Sequence, residues 1–287
     1  MLTRMPSALI AQAMCAGAVA TVVATATPAA AQTDVPCSAA ALAGAISTAN
    51  ALGGGALRLS PGCVYGLTTP LPAITSTISI DARNSTITRV SAAGFGILSV
   101  SPSGNLAITK VTITNGDAPD FGGGIANRGR LSVTDSAIRN NHANFSGGIG
   151  GGSGTVTRIE GTSIMNNTAN VNGGGVANDG VMTILGSRII GNTAVNGAGG
   201  GAANDGTLQI TSTNVNENRA HRAGGVANFG GGTTVITSSN VNSNVADVAP
   251  GGVLNTGGLV VLNGSRVNGN TPTNCAGSDV PVLNCTG

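Results

Sequence analysis

Along most of the chain, apolar residues alternate with polar ones over runs of four or five positions, and glycine or asparagine interrupts each run. Such alternation sends successive side chains to opposite faces of a β-strand. The runs return at a fixed interval. An Ile or Val falls at Ile138, Ile164, Ile189, Val215, Val241 and Val267, in steps of 26, 25, 26, 26 and 26. Two residues before each stands a hydroxyl, at Ser136, Thr162, Ser187, Thr213, Ser239 and Ser265. Three residues after each stands an asparagine, at Asn141, Asn167, Asn192, Asn218, Asn244 and Asn270. A second apolar column is expected at Val133, Ile159, Ile184, Ile210, Ile236 and Val261. A period of this size indicates a solenoid, in which each unit buries its apolar face only against its neighbours. Residues 173–192, GGGVANDGVMTILGSRIIGN, contain most of one unit.

A turn about every eight residues divides each unit into three short strands. Stacked units then form parallel sheets with strands about 4.8 Å apart, and eight or nine coils make a rod roughly 40 Å long. Helical repeats of similar length are the rival, but β-branched residues, Gly and Asn dominate and no helical period survives beyond residue 56. Before it, residues 37–56 read as an N-terminal cap. Leu42, Ala45, Ile46, Ala49 and Leu52 recur at helical spacing, Ser38 is placed to cap the start, and Gly53 to stop the helix. Residues 57–122 form irregular coils, 123–274 regular ones of about 26 residues, and 275–287 a terminal cap. The fold class is all-β, a parallel β-helix with one short capping helix.

Composition refines the picture. Gly and Pro are abundant enough to hint at disorder, but a disordered linker would not return Ile or Val in register. A net charge of +2 gives no electrostatic footprint for nucleic acid. Residues 1–31 are expected to be a secretory signal: Arg4 supplies the positive start, an Ala/Val-rich stretch follows, and Ala29, Ala30 and Ala31 offer a cleavage site. An uncleaved membrane anchor is the alternative. Past residue 31 no apolar run approaches the length of a span. Residues 32–287 then form one β-helix domain that is exported, to the cell envelope or beyond, as a monomer. Four cysteines remain, and four permit three connectivities. If the ends of a rod lie far apart, only Cys37–Cys63 and Cys275–Cys285 can close. Metal binding is the other use of these cysteines, without a CxxC or a nearby His to support it.

The processed chain resembles the right-handed, single-stranded parallel β-helix proteins of the pectate-lyase-like superfamily. More narrowly it resembles secreted bacterial proteins with polymorphic-outer-membrane-protein-type repeats. The segments that carry this are the cap CSAAALAGAISTANALGGGALRLSPGCVYGLT, the following LPAITSTISIDARNSTITRV, repeats such as GGGIANRGRLSVTDSAIRNN, and the terminal GNTPTNC. The family's GG-apolar-apolar motif occurs as GGIA, GGIG, GGVA, GGAA and GGVL, and its F-x-x-N motif has Ile or Val in place of Phe. The resemblance implies the β-helix fold and a surface or extracellular role in binding or adhesion.

Two polar features invite a chemical reading. The asparagine column, stacked one coil apart, can satisfy itself as a ladder of amides, with a ligand strip as the alternative. The N-x-G turns carry a variable middle residue that should face solvent: Arg128, Asp179, Asp205, Phe229 and Thr256, with a glycine-rich replacement at 150–154. Asp179 and Asp205 are 26 apart and should be neighbours on adjacent coils. Two close carboxylates raise one pKa, can act as acid and base, or can hold Ca²⁺ with nearby carbonyls. Asn-Asp-Gly is also a good turn sequence in its own right. His142 and His221 read as exposed turn residues, and Phe121 and Phe145 as part of the packing. No GxSxG, P-loop or HExxH motif is present. The expectation is a non-catalytic module for a polysaccharide or cell-surface glycan, needing no cofactor. The alternative is a lyase or hydrolase of an acidic polysaccharide, with Asp179 and Asp205 as its catalytic pair.

Overall fold

The computed structural model describes residues 32–285; the signal expected at 1–31 lies outside them. The described chain is an all-β parallel solenoid of about nine turns with one helix near its start. One coil shows the plan. Val176–Asn178 is a three-residue strand, followed after the N-x-G turn by Val181–Leu185 and, after a further bend, Arg188–Ile190. Thr193–Ala198 closes the coil, and a glycine-rich turn leads into Ala202–Asn204, one rung on. Each regular coil therefore has four strand segments where three are expected from the sequence. The second and third share a sheet, because the bend at Gly186 (φ 56) and its equivalents turns the chain without ending the ladder. Among the described residues the strands form parallel sheets of 17, seven and six strands. We call these the bent, short and lateral sheets.

The apolar columns meet in register. Ile138, Ile164, Ile189, Val215, Val241 and Val267 pair rung to rung in the bent sheet, and Ile113 extends the column back into the irregular coils. The other column departs from expectation at its end. Ile236 pairs with Leu262, and Val261 pairs with Val235 on the outer surface. Val260 and Leu262 point inward and are buried, so the strand keeps its alternation at a phase one residue later. A parallel stack needs this, since a one-residue slip would turn the apolar set outward.

Both ends are covered. The helix Ala39–Ala51 starts at Ser38, whose side chain accepts the Ala41 N–H, and lays Leu42, Ile46 and Ala49 on the first coil. Leu52, expected on that face, is instead the exposed C-terminal cap residue. A strand absent from the sequence reading, Gln32–Val35, pairs with Gly54–Leu59 ahead of the helix-covered core. Cys37 and Cys63 lie at disulfide distance (Cα–Cα 5.7 Å), as do Cys275 and Cys285 (6.4 Å). No helix among the described residues is long and apolar enough to cross a membrane.

Candidate functional site: a groove over the short sheet

Three polar columns hold the turns in place. Asn192 is typical of the first: its side chain donates to the Ile164 carbonyl (3.0 Å) and to Asn218 Oδ1 (2.9 Å). Its own Oδ1 accepts the backbone and side-chain N–H groups of Asn167, each at 3.0 Å. The pattern runs from Asn141 to Asn270, which hands on to Asn274. The hydroxyl column supplies a second ladder, in which Ser187 Oγ accepts the Thr162 N–H while donating to Leu185 C=O. A third was not read from the sequence. The first residue of each N-x-G turn is also stacked and buried: Asn178 donates to Asn204 Oδ1 (2.8 Å), and Asn204 to Asn228 (2.9 Å). Each Asn also accepts the N–H of its own turn's glycine, Asn178 Oδ1 from Gly180 and Asn204 Oδ1 from Gly206. Glycine is required there because a Cβ on Gly206 would lie 2.1 Å from the carbonyl oxygen of Gly180.

With both flanking residues fixed, the middle residue of the turn points away from the core at a constant place on each coil. Asn178 pairs with Asn204 in register, so Asp179 and Asp205 are neighbours, and both line one groove of about 400 Å³. Its floor is the outer face of the short sheet, where Ala177 and Ala203 leave room. The turn side is formed by Arg128, Gly152, Asp179, Asp205 and Phe229. The opposite side, at the edge of the lateral sheet, is formed by Asp120, Phe121, Phe145 and Asn172. The turn residues come from five successive coils, about 19 Å at the rung spacing. Beyond Phe229 the outer face is closed by the apolar cluster Ala198, Ala223, Ala227 and Leu254, against which that ring packs.

Phe121 and Phe145 are thus not core packing. They pair across adjacent lateral strands, and Phe145 remains 39% exposed. The Phe121 ring lies over Gly150, where a Cβ would come within 2.4 Å of it, and Arg128 stacks on it, its guanidinium carbon 5.6 Å from the centroid. The glycine-rich unit at 150–154 therefore clears space for an aromatic ring. A signal for this was present: both phenylalanines stand just before a glycine turn, within one short strand of the variable N-x-G position.

The groove carboxylates differ from the acids that are paired with arginine. Asp34, Asp117, Glu160, Asp247 and Asp279 each have an Arg partner. Among the described residues, Asp120, Asp179 and Asp205 have neither an ion pair nor a side-chain hydrogen bond; Asp135 and Glu217 share this, but neither lines the groove. Partial desolvation in the groove raises the Asp179 pKa above its ordinary value, with the Asp205 charge adding to it. Desolvation alone raises that of Asp205. No group of three or more His, Cys, Asp or Glu side chains is placed to hold a metal ion among the described residues.

The histidines lie in lateral strands, not in turns. His142 Nδ1 is 2.8 Å from Asp117 Oδ1, and its Nε2 is 3.2 Å from Asn170 Oδ1. His221 faces Asp247 at 3.7 Å. Neither lines the groove. No protein-family model, curated protein or solved structure matches this chain.

Proposed function

We propose that the protein is an exported binding module that holds a linear glycan along the groove over the short sheet. The observation that carries this reading is the lining itself: three phenylalanines and three unpartnered carboxylates around one concave strip that runs across successive coils. Aromatic faces match the apolar faces of sugar rings, and carboxylates accept hydrogen bonds from hydroxyls. Rungs about 4.8 Å apart nearly match the length one hexosyl unit adds to an extended glycan, so successive sugars can meet the turn residues of successive coils. The two cysteine pairs fit an oxidising compartment. The resemblance of the repeats to polymorphic-outer-membrane-protein-type repeats fits an adhesive role at a cell surface. Calorimetric titration of the purified protein with linear oligosaccharides tests the reading. Binding is expected, weakened about tenfold or more when Phe121 and Phe145 are both replaced by alanine. A broad panel without any binding sinks the proposal, as does binding that ignores the two rings.

The raised carboxyls of Asp179 and Asp205 favour a second reading, hydrolysis with one as acid and the other as base. Release of reducing ends that disappears in Asp179→Ala and Asp205→Ala would support it. Activity that survives both substitutions would place the chemistry elsewhere. An acidic polysaccharide is the least suitable substrate, because three carboxylates line the groove against one guanidinium.

A further inference from the structure

We propose that the groove selects a linear glycan bearing protonated amines, a glucosamine-type polymer, over neutral and uronate-bearing chains. This selection rests on the glycan-binding reading above. The charge distribution argues for it. The chain as a whole carries +2, yet three of its eleven acidic side chains converge on this strip. Among the described residues the only cation lining it, Arg128, has its guanidinium over the Phe121 ring. Elsewhere five acids are each paired with an Arg, as Asp247 is with Arg219 at 2.8 Å. The groove acids are held apart from any such partner by the repeat. Each turn side chain projects from an Asn-anchored rung, and the equivalent position one coil away is Gly152, another Asp or Phe229, never a Lys or Arg next to Asp179 or Asp205.

A bound cation supplies the missing partner. Asp179 and Asp205 stand on the turn side, and Asp120 on the opposite side. Amines projecting from either edge of an extended chain therefore find a carboxylate, while the rings receive the sugar faces. Neighbouring carboxylates repel each other and are partly desolvated, so ammonium groups between or beside them relieve a cost already present in the free protein. A uronate chain meets the opposite situation, adding like charge to an acidic strip. Acetylation of the amines removes the charge and leaves the ring faces unchanged. Comparison of the two forms therefore isolates the carboxylates.

The test is calorimetric titration at about pH 6 in low salt, where glucosamine oligomers carry ammonium groups and most carboxylates are ionised. The ligands are fully deacetylated glucosamine oligosaccharides, their N-acetylated counterparts and oligogalacturonate. The deacetylated chain is expected to bind about tenfold or more tightly than the acetylated one. That preference should shrink to within about twofold in roughly 0.5 M NaCl, where screening is strong. The variant Asp179→Asn with Asp205→Asn keeps the size and folding of exposed turn tips. It should lose the preference, binding the deacetylated and acetylated chains within about twofold of each other. Equal or tighter binding of the acetylated chain or of oligogalacturonate overturns the selection and leaves glycan binding standing. Absence of binding by all three ligands overturns both. An unchanged preference in the double Asn variant overturns the assignment to these carboxylates.

Discussion

The turn after each Ile/Val core position and the turn after each short-sheet strand use the same polar device, a stack of asparagines, yet they leave very different surfaces. At the first, Asn141 to Asn270 is one residue type repeated on every regular rung, buried and bonded above and below. At the second, the anchoring Asn178 and Asn204 are equally buried, but the residue beside them changes from rung to rung: Arg128, Gly152, Asp179, Asp205, Phe229. A stack in which each member must satisfy its neighbour tolerates one solution. A side chain that leaves the stack for solvent answers to no such rule. Uniformity along a column therefore marks what the fold needs. Variation at a fixed outward position marks where the surface can be given over to recognition.

The difference can be broken most forcefully at the core beneath the first turn. Ile189 is fully buried between Ile164 and Val215. Ile189→Asp places an unpaired carboxylate there and should cost on the order of 4–5 kcal/mol or more, enough to unfold the central coils. Circular dichroism on heating would register this; a melt like that of the native protein would refute the inward assignment. Asn192→Ala comes next. It strands the N–H groups of Asn167 and the Ile164 carbonyl, all inside the stack. A loss of about 2–4 kcal/mol is expected, or a fall in Tm of roughly 5–15 °C for a domain of this size. Asp179→Ala, in the same coil but outside any ladder, should change stability by less than about 0.5 kcal/mol. Equal losses at Asn192 and Asp179 would erase the distinction between the two turns.

Those same columns explain what could be read before the fold was known. The period placed Ile138 to Val267 correctly because a parallel stack maps a sequence interval directly onto a neighbour in space. It also put Asp179 next to Asp205. Val261 was misplaced because the interval fixes the coil and leaves the phase within a strand free. Inward and outward sets there are separated by a single residue, and Val260, Val261 and Leu262 are all apolar. The ladder of Asn178 and Asn204 was hidden by its context, since N-x-G already has a sufficient local explanation as a turn. Asp120, Phe121 and Phe145 were missed as groove residues for a different reason. They belong to the far edge of the lateral sheet, and which edges face each other across a three-residue strand is set by the bends of the coil, on which sequence spacing is silent.

The smallest predicted effect separates a paired acid from a groove acid by the sign of its pH response. Hydrogen bonding to Arg58 holds the Asp34 carboxyl below the ordinary 3.8. Its contribution to stability is present above that value and is lost as pH falls through the lowered one. Desolvation and the Asp205 charge move Asp179 the other way. The folded state then binds a proton more tightly than the unfolded chain, so this contribution is present below 3.8 and is lost as pH rises through the raised value. At neutral pH the ionised Asp179 is a small liability, discounted for its exposure to solvent. Asp179→Asn should therefore raise Tm at neutral pH by about 1 °C and flatten the decline between 3.8 and neutrality. Asp34→Asn should lower Tm there slightly and take away a rise. Melting curves for the two variants across that range decide the point. A fall in Tm for Asp179→Asn at neutral pH would mean that its carboxylate has a stabilising partner in the folded protein. The groove acids would then be no different from the acids paired with arginine.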